Sequence, residues 1–78
     1  MKIHVGQLVQ LMQNVPFQEL HCGDVGMVCS TWFEPSIAYE VEFQRILPFC
    51  AVRVLLMPSQ IKPDTQAQGQ LFAAGERP

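Results

Sequence analysis

The chain has 78 residues, of which 49% are hydrophobic and only 15% are charged, and its formal net charge is −2. This length predicts a single domain. The charged fraction is low, because globular proteins average about 25% charged residues. Because too few polar side chains remain to cover so small a fold, we expect copies of the chain to bury apolar surface against each other in a homo-oligomer. The five Lys and Arg residues are scattered, and a chain without a basic cluster is not expected to bind nucleic acid.

The N-terminal residues and the cysteines indicate the cellular compartment of the protein. Residues 1–4 lead into an alternating stretch rather than a continuous apolar run, so neither a signal peptide nor a membrane span is expected. Cys22, Cys29 and Cys50 are odd in number and lack paired spacing. This pattern is typical of reduced thiols in a cytoplasmic protein, and we expect all three side chains to be buried as small hydrophobic groups.

A first strand is predicted over residues 5–13. It must end before Pro16, because proline has no N–H to donate and restricts the residue before it. Residues 14–22 then form a long loop, whose apolar side chains Phe17 and Leu20 are expected to fold back as a lid over the core.

Residues 22–43 are the stretch around which the chain is organised, because they predict two strands joined by a short turn. A bend at Gly23 and Asp24 leads into the strand Val25–Trp32, and the return strand covers residues 38–43. The return strand alternates with a period of two, which marks a strand with one buried face. The side chains expected on that face are those of Tyr39, Val41 and Phe43.

Residues 49–57 predict a third long strand. Both of its faces are largely apolar, so it is expected either to lie centrally in the sheet or to meet another subunit. Pro58–Gln60 predicts one helical turn, and Ile61 begins a very short closing strand.

These elements predict an all-β fold, namely a small SH3-like barrel of about five short strands with a helical turn before the last strand. We expect the barrel to occupy residues 1–63. Residues 64–78 are polar and small, and are interrupted by Pro and Gly, which indicates a C-terminal tail.

Four segments of the chain, which read LVQLMQNVP, GDVGMV, AYEVEF and LLMPSQIKP, resemble a family of short bacterial SH3-like domains of unknown function. The resemblance covers about residues 5–63, and it implies the same fold. Similar stand-alone domains are encoded in integron gene cassettes, so it also implies a bacterial cassette protein. The chain departs from the family pattern at QRILPFCA, which replaces an acidic hairpin, and in the tail after Pro63. Membership in such a family implies no catalytic residues.

Trp32 and Phe33 are adjacent in an extended stretch before the loop at Glu34, so at least one of them must point outward. An exposed aromatic side chain near a loop serves either as an anchor for a protein partner or as an oligomer contact. In SH3-type domains such aromatics form a groove for extended or proline-rich peptides.

The tail carries the short motif Gln68, Leu71 and Phe72. It resembles the pentapeptide with which bacterial proteins bind the replication sliding clamp, in which Leu and Phe fill an apolar cleft and Gln makes polar contacts. The alternative is that Leu71 and Phe72 dock on the barrel of their own chain or of a neighbouring subunit, and this is the expectation we favour.

Three other patterns predict structure rather than chemistry. Gly23, Asp24 and Gly26 are expected to serve turn and bulge geometry. Glu40 and Glu42 lie on one strand face about 7 Å apart, which is within the range of paired catalytic carboxylates, but alternating Glu is also typical of a solvated face. His and Cys residues show no CxxC or HxxxH pair. We therefore expect no metal, no cofactor and no catalytic residue.

The sequence thus predicts a non-catalytic, self-associating interaction module that binds another protein. A variant of this hypothesis is an antitoxin-like or immunity-like cassette protein. The rival hypothesis is an enzyme whose site is a pore at an oligomer axis, as in the type II dihydrofolate reductases, which are similar in length and SH3-like. This chain lacks their pore-lining Val–Gln–Ile–Tyr segment, and its nearest strand has Ala51, Val52, Arg53 and Val54.

Overall fold

The computed structural model describes residues 3–46 and 49–64. Within these residues five strands form one antiparallel sheet in the order β4-β3-β2-β1-β5. The strands are β1 Leu8–Leu11, β2 Val25–Trp32, β3 Ala38–Ile46, β4 Phe49–Leu56 and β5 Ile61–Pro63. One 3-10 turn, Pro16–Gln18, lies between β1 and β2, and a second, Pro58–Gln60, precedes β5. The prediction of an all-β fold with about five strands and a helical turn before the last one is confirmed.

The sheet is open in the described residues, with β4 and β5 as its two edge strands. Closure into an SH3-like barrel therefore stays a prediction. No helix in the described part of the chain is long and apolar enough to cross a membrane.

The strand bounds differ from the predicted ones where local hydrogen bonds decide them. The first strand is shorter than residues 5–13, because Gly6 has a positive φ of 90° and Met12 donates its N–H to the carbonyl of Gln60 rather than to β2. The return strand runs past residue 43 to Ile46, because the end of β3 continues its pairing with β4 as far as the pair of Ile46 and Phe49.

The core lies on one face of this sheet. Tyr39, Val41 and Phe43 are buried there, as their alternation predicts. Ile3 and Leu20 add side chains from outside the strands. The remaining buried apolar side chains are those of Val9, Leu11, Val28, Leu56 and Ile61.

The two glycines before and within β2 have different tasks. Gly23 has a φ of 99°, so it forms the turn that the sequence predicts. The turn or bulge role predicted for Gly26 is wrong. A Cβ atom at Gly26 would lie 2.7 Å from the Cγ1 atom of Val41 and 2.8 Å from the carbonyl oxygen of Glu42. Gly26 therefore permits the close approach of β2 to β3.

The loop between β1 and β2 is fastened by Leu20, whose side chain is 4% exposed. The lid prediction is correct for this residue and wrong for Phe17, which is 99% exposed. The reason is a closed turn in which Val15 and Leu20 exchange two backbone hydrogen bonds. Phe17 lies at the tip of that turn and points away from the sheet.

Of the two roles predicted for β4, a central position is excluded, because β4 is the edge strand next to β3 in the described sheet; the other role, contact with another subunit, stays a prediction. The prediction for the cysteines is wrong. Cys22 and Cys50 are exposed and Cys29 is half-buried, so the cysteines are not the buried hydrophobic groups that their spacing predicts. Cys22 lies in the β1–β2 loop, where its backbone N–H donates to the Asn14 Oδ1 atom. Cys50 lies at the start of the edge strand β4.

Candidate binding surface

Trp32 is the last residue of β2, and its side chain is 51% exposed on the face of the sheet opposite the core. Strict alternation from the buried Val28 would turn Trp32 inward. The register between β2 and β3 shifts between Val28 and Ser30, so Cys29 acts as the extra residue of a β-bulge. A bulge inverts the facing of every later residue in its strand. As a result Thr31 pairs with the buried Tyr39 and Trp32 faces outward.

Phe33 follows directly in the loop and is 69% exposed. The sequence predicts that at least one of the two aromatic side chains points outward, and the structure shows that both do. The bulge at Cys29 was not predicted. No residue type marks the bulge, because β2 has side chains around this position that are compatible with either face of the sheet. The sequence pattern therefore does not show where the facing of the strand changes.

The outer surface around Trp32 is a shallow apolar groove with a volume of about 210 Å³. Trp32 pairs with Ala38 across β2 and β3, and Leu55 and Met57 border the groove from the β4 side. The loop residues Glu34, Pro35 and Ser36 close its remaining end. Small-molecule pockets usually enclose about 300–1,000 Å³, so this groove suits one or two apolar side chains of a protein segment better than a drug-sized ligand. We call it the Trp32 groove.

A polar strip separates the Trp32 groove from the rest of the outer face. Ser30 donates a hydrogen bond to Glu40 over 3.0 Å, and the Arg53 Nε atom donates to Glu42 over 3.0 Å. The hydrogen bond to Glu42 raises the pKa of Arg53 above its ordinary value, and the nearby groups of Cys29 and Glu40 act in the same direction. Both carboxylates thus hold neighbouring strands together, which is a structural use of the pair.

The groove borders an open sheet edge. β4 pairs with β3 without interruption from Tyr39 and Leu56 to Ile46 and Phe49, and no strand of the described residues pairs with its other side. The eight residues of β4 include no proline and one charge, Arg53, whose guanidinium is bound to Glu42. The opposite edge, β5, is three residues long and includes Lys62 and Pro63. Only the β4 edge is therefore long and free of the usual obstacles to pairing.

A second, wider depression of about 610 Å³ lies beside the β1–β2 loop. Three of its polar side chains are engaged within the fold: Arg45 forms an ion pair with Glu19, and the Asn14 Oδ1 atom accepts the N–H of Cys22 over 2.8 Å. The ion pair fastens the loop to β3, and the hydrogen bond joins the two ends of the loop. In the described parts of the chain, no group of three or more His, Cys, Asp or Glu side chains is placed to hold a metal ion.

The remaining predicted contacts, Gln68, Leu71 and Phe72, lie outside the described residues. Their roles in clamp binding or in docking on a barrel stay predictions.

Comparisons with protein-family models, with curated proteins and with solved structures found no match to this chain. The resemblance to short bacterial SH3-like domains therefore stays an expectation.

Proposed function

We propose that this protein is a non-catalytic, self-associating interaction module. The observation that carries the proposal is the uninterrupted β4 edge, which lies directly beside the exposed Trp32 groove. The edge would pair with a second copy of the chain, and the groove would receive an apolar protein segment.

The β4 edge fits a second copy because an antiparallel pair of identical edge strands is self-complementary. Each copy presents the same row of N–H and C=O groups, and a two-fold axis brings donors opposite acceptors. Natural proteins usually block such an edge with lysine, proline or a bulge, and β4 has none of these. Its charge, Arg53, is already paired with Glu42. A register that keeps the two Arg53 side chains from lying opposite each other avoids like-charge repulsion.

The Trp32 groove fits a protein segment because of the side chains that line it. Trp32 offers a large rigid surface, and Met57 offers an adaptable one. Exposed aromatic side chains of this kind are the usual anchors of protein interfaces. Leu55 is 56% exposed, which adds apolar surface that is otherwise left in water.

Two broader expectations belong to this proposal. The strand order β4-β3-β2-β1-β5, with a 3-10 turn before β5, supports closure of the sheet into an SH3-like barrel. The free thiols of Cys22 and Cys50 are exposed, which supports a reducing compartment such as the bacterial cytoplasm.

Sedimentation or light-scattering measurement of the molar mass tests self-association. The edge variant is Ala51→Lys with Leu55→Lys, which adds two positive charges on either side of Arg53 and so repels a second β4 strand. The matched control is Val5→Lys with Met12→Lys, which adds the same charge at positions that are also exposed but lie off β4. We expect wild type and control to be oligomeric and the edge variant to be monomeric, with unchanged circular dichroism.

A monomeric wild type at every concentration would overturn the proposal. Retention of the oligomer in the edge variant would overturn the assignment of the contact to β4. The same measurement addresses the rival enzyme hypothesis, since a shared pore of the type II dihydrofolate reductase kind needs four copies and a dimer has none.

A further inference from the structure

We propose that the Trp32 groove is filled by the C-terminal segment of its own chain, with Leu71 and Phe72 as the side chains that enter it. The inference rests on the groove described in the proposed function, but it does not depend on self-association. The occupant is a segment that lies outside the described residues, namely residues 65–78.

The first argument is the position from which this segment leaves the sheet. Asp64 donates its N–H to the carbonyl of Leu8 over 2.9 Å, so the chain leaves β5 beside β1. Leu8 pairs with Met27 of β2. Asp64 is therefore two strand spacings, about 10 Å, from Met27.

The second argument is reach. Trp32 follows Met27 along the same strand, at about 17 Å by the rise per residue of a strand. Combined with the two strand spacings, this places Asp64 about 20 Å from Trp32 along a straight line. Residues 65–71 span up to about 23–25 Å when extended. Leu71 and Phe72 can therefore reach the groove, whereas residues soon after Asp64 cannot.

The third argument is composition. Leu71 and Phe72 are the only large apolar residues between positions 65 and 78, and all other residues there are polar, charged, proline, glycine or alanine. A groove of about 210 Å³ has room for one or two such side chains. Because the segment is tethered, its effective concentration at the groove reaches the millimolar range. Even a weak contact therefore suffices to keep the groove occupied, and an outside protein has to displace the tail before it can bind.

Trp32 is the only tryptophan of the chain, so its fluorescence reports directly on the groove. The test compares full-length wild type with Leu71→Ser/Phe72→Ser and with the control Gln68→Ser/Gln70→Ser. Emission and acrylamide quenching are measured over a wide range of protein concentration, together with the molar mass. We expect the Leu71/Phe72 variant to show a red-shifted emission and stronger quenching. The control should match wild type, and the difference in emission between wild type and the Leu71/Phe72 variant should not depend on protein concentration.

A synthetic peptide of residues 65–78, added in excess to the Leu71/Phe72 variant, should restore the blue-shifted emission. The same peptide with both serine substitutions should not. Identical spectra for wild type and variant would overturn the inference. A blue shift that appears only at high protein concentration in wild type and not in the Leu71/Phe72 variant, or a change of molar mass in the variant, would also overturn it, because either result assigns the tail to a neighbouring subunit. Because Leu55 lines the groove, self-association is read here from Ala51→Lys alone, which lies on β4 away from the groove, so the two proposals fail separately.

Discussion

At the scale of single residues, Gly26 shows how closely β2 and β3 approach each other. We expect Gly26→Ala to lower the free energy of unfolding by about 1–3 kcal/mol, the usual cost of overpacking a core. The new Cβ atom would meet the Val41 side chain at 2.7 Å and the Glu42 carbonyl oxygen at 2.8 Å. The second contact is with backbone, so a change of rotamer cannot relieve it and the two strands must separate. Urea denaturation followed by circular dichroism measures the effect.

The control for Gly26→Ala is Met27→Gln, one residue further along the same strand. Met27 is exposed on the outer face, so its replacement should change the free energy of unfolding by no more than about 0.5 kcal/mol. Alanine normally suits a strand better than glycine does. A Gly26→Ala protein as stable as wild type, or more so, would therefore show that β2 has room to move away from β3.

At the scale of elements, the loop between β1 and β2 depends on one of its two large apolar side chains. We expect Leu20→Ala to cost about 2–5 kcal/mol, because it removes a buried side chain from the core. Phe17→Ala removes a larger side chain but should cost less than about 0.5 kcal/mol, because Phe17 is 99% exposed. The same denaturation experiment measures both. Equal costs would mean that Phe17 contributes a core contact that its exposure does not show.

The elements themselves were largely predictable from the sequence. The strand Val25–Trp32 and the turn Pro58–Gln60 have the predicted bounds, because glycine, proline and a clear change of pattern mark their ends. The burial of Tyr39 and Val41 follows from a period of two that no bulge interrupts in β3. Where local residue types determine the backbone conformation, the sequence pattern alone is sufficient to predict the element and its bounds.

The features that the sequence pattern did not predict depend on contacts between residues that are distant in the sequence. Apolar residues on both faces of β4 were compatible with a central strand, and only the pairing of the other strands places it at the edge. The side chains that form the groove were not predicted either, except for Trp32. Its other wall consists of Leu55 and Met57, and their distance from Trp32 depends on the register of three strands and on the bulge at Cys29.

At the scale of the whole molecule, size and surface composition favour association. A chain of 78 residues buries a smaller share of its surface on folding than a large protein does, so its stability as a monomer is limited. Pairing of two β4 edges would extend the sheet and satisfy backbone groups to which no strand of the described residues is paired. Association of folded chains then adds to the free energy of unfolding by mass action.

This coupling predicts that the melting temperature of the wild-type protein rises with protein concentration. Unfolding of an associated protein separates the copies, so dilution favours the unfolded state. Scanning calorimetry over a hundredfold range of protein concentration measures the effect. Over this range, association can change the free energy of unfolding by about 2.7 kcal/mol at most. The Val5→Lys/Met12→Lys control should behave as wild type, whereas the melting temperature of Ala51→Lys/Leu55→Lys should be independent of concentration. If the wild-type melting temperature also stays constant while the molar mass is that of a dimer, association is not coupled to unfolding, and pairing of the β4 edges does not stabilise the fold.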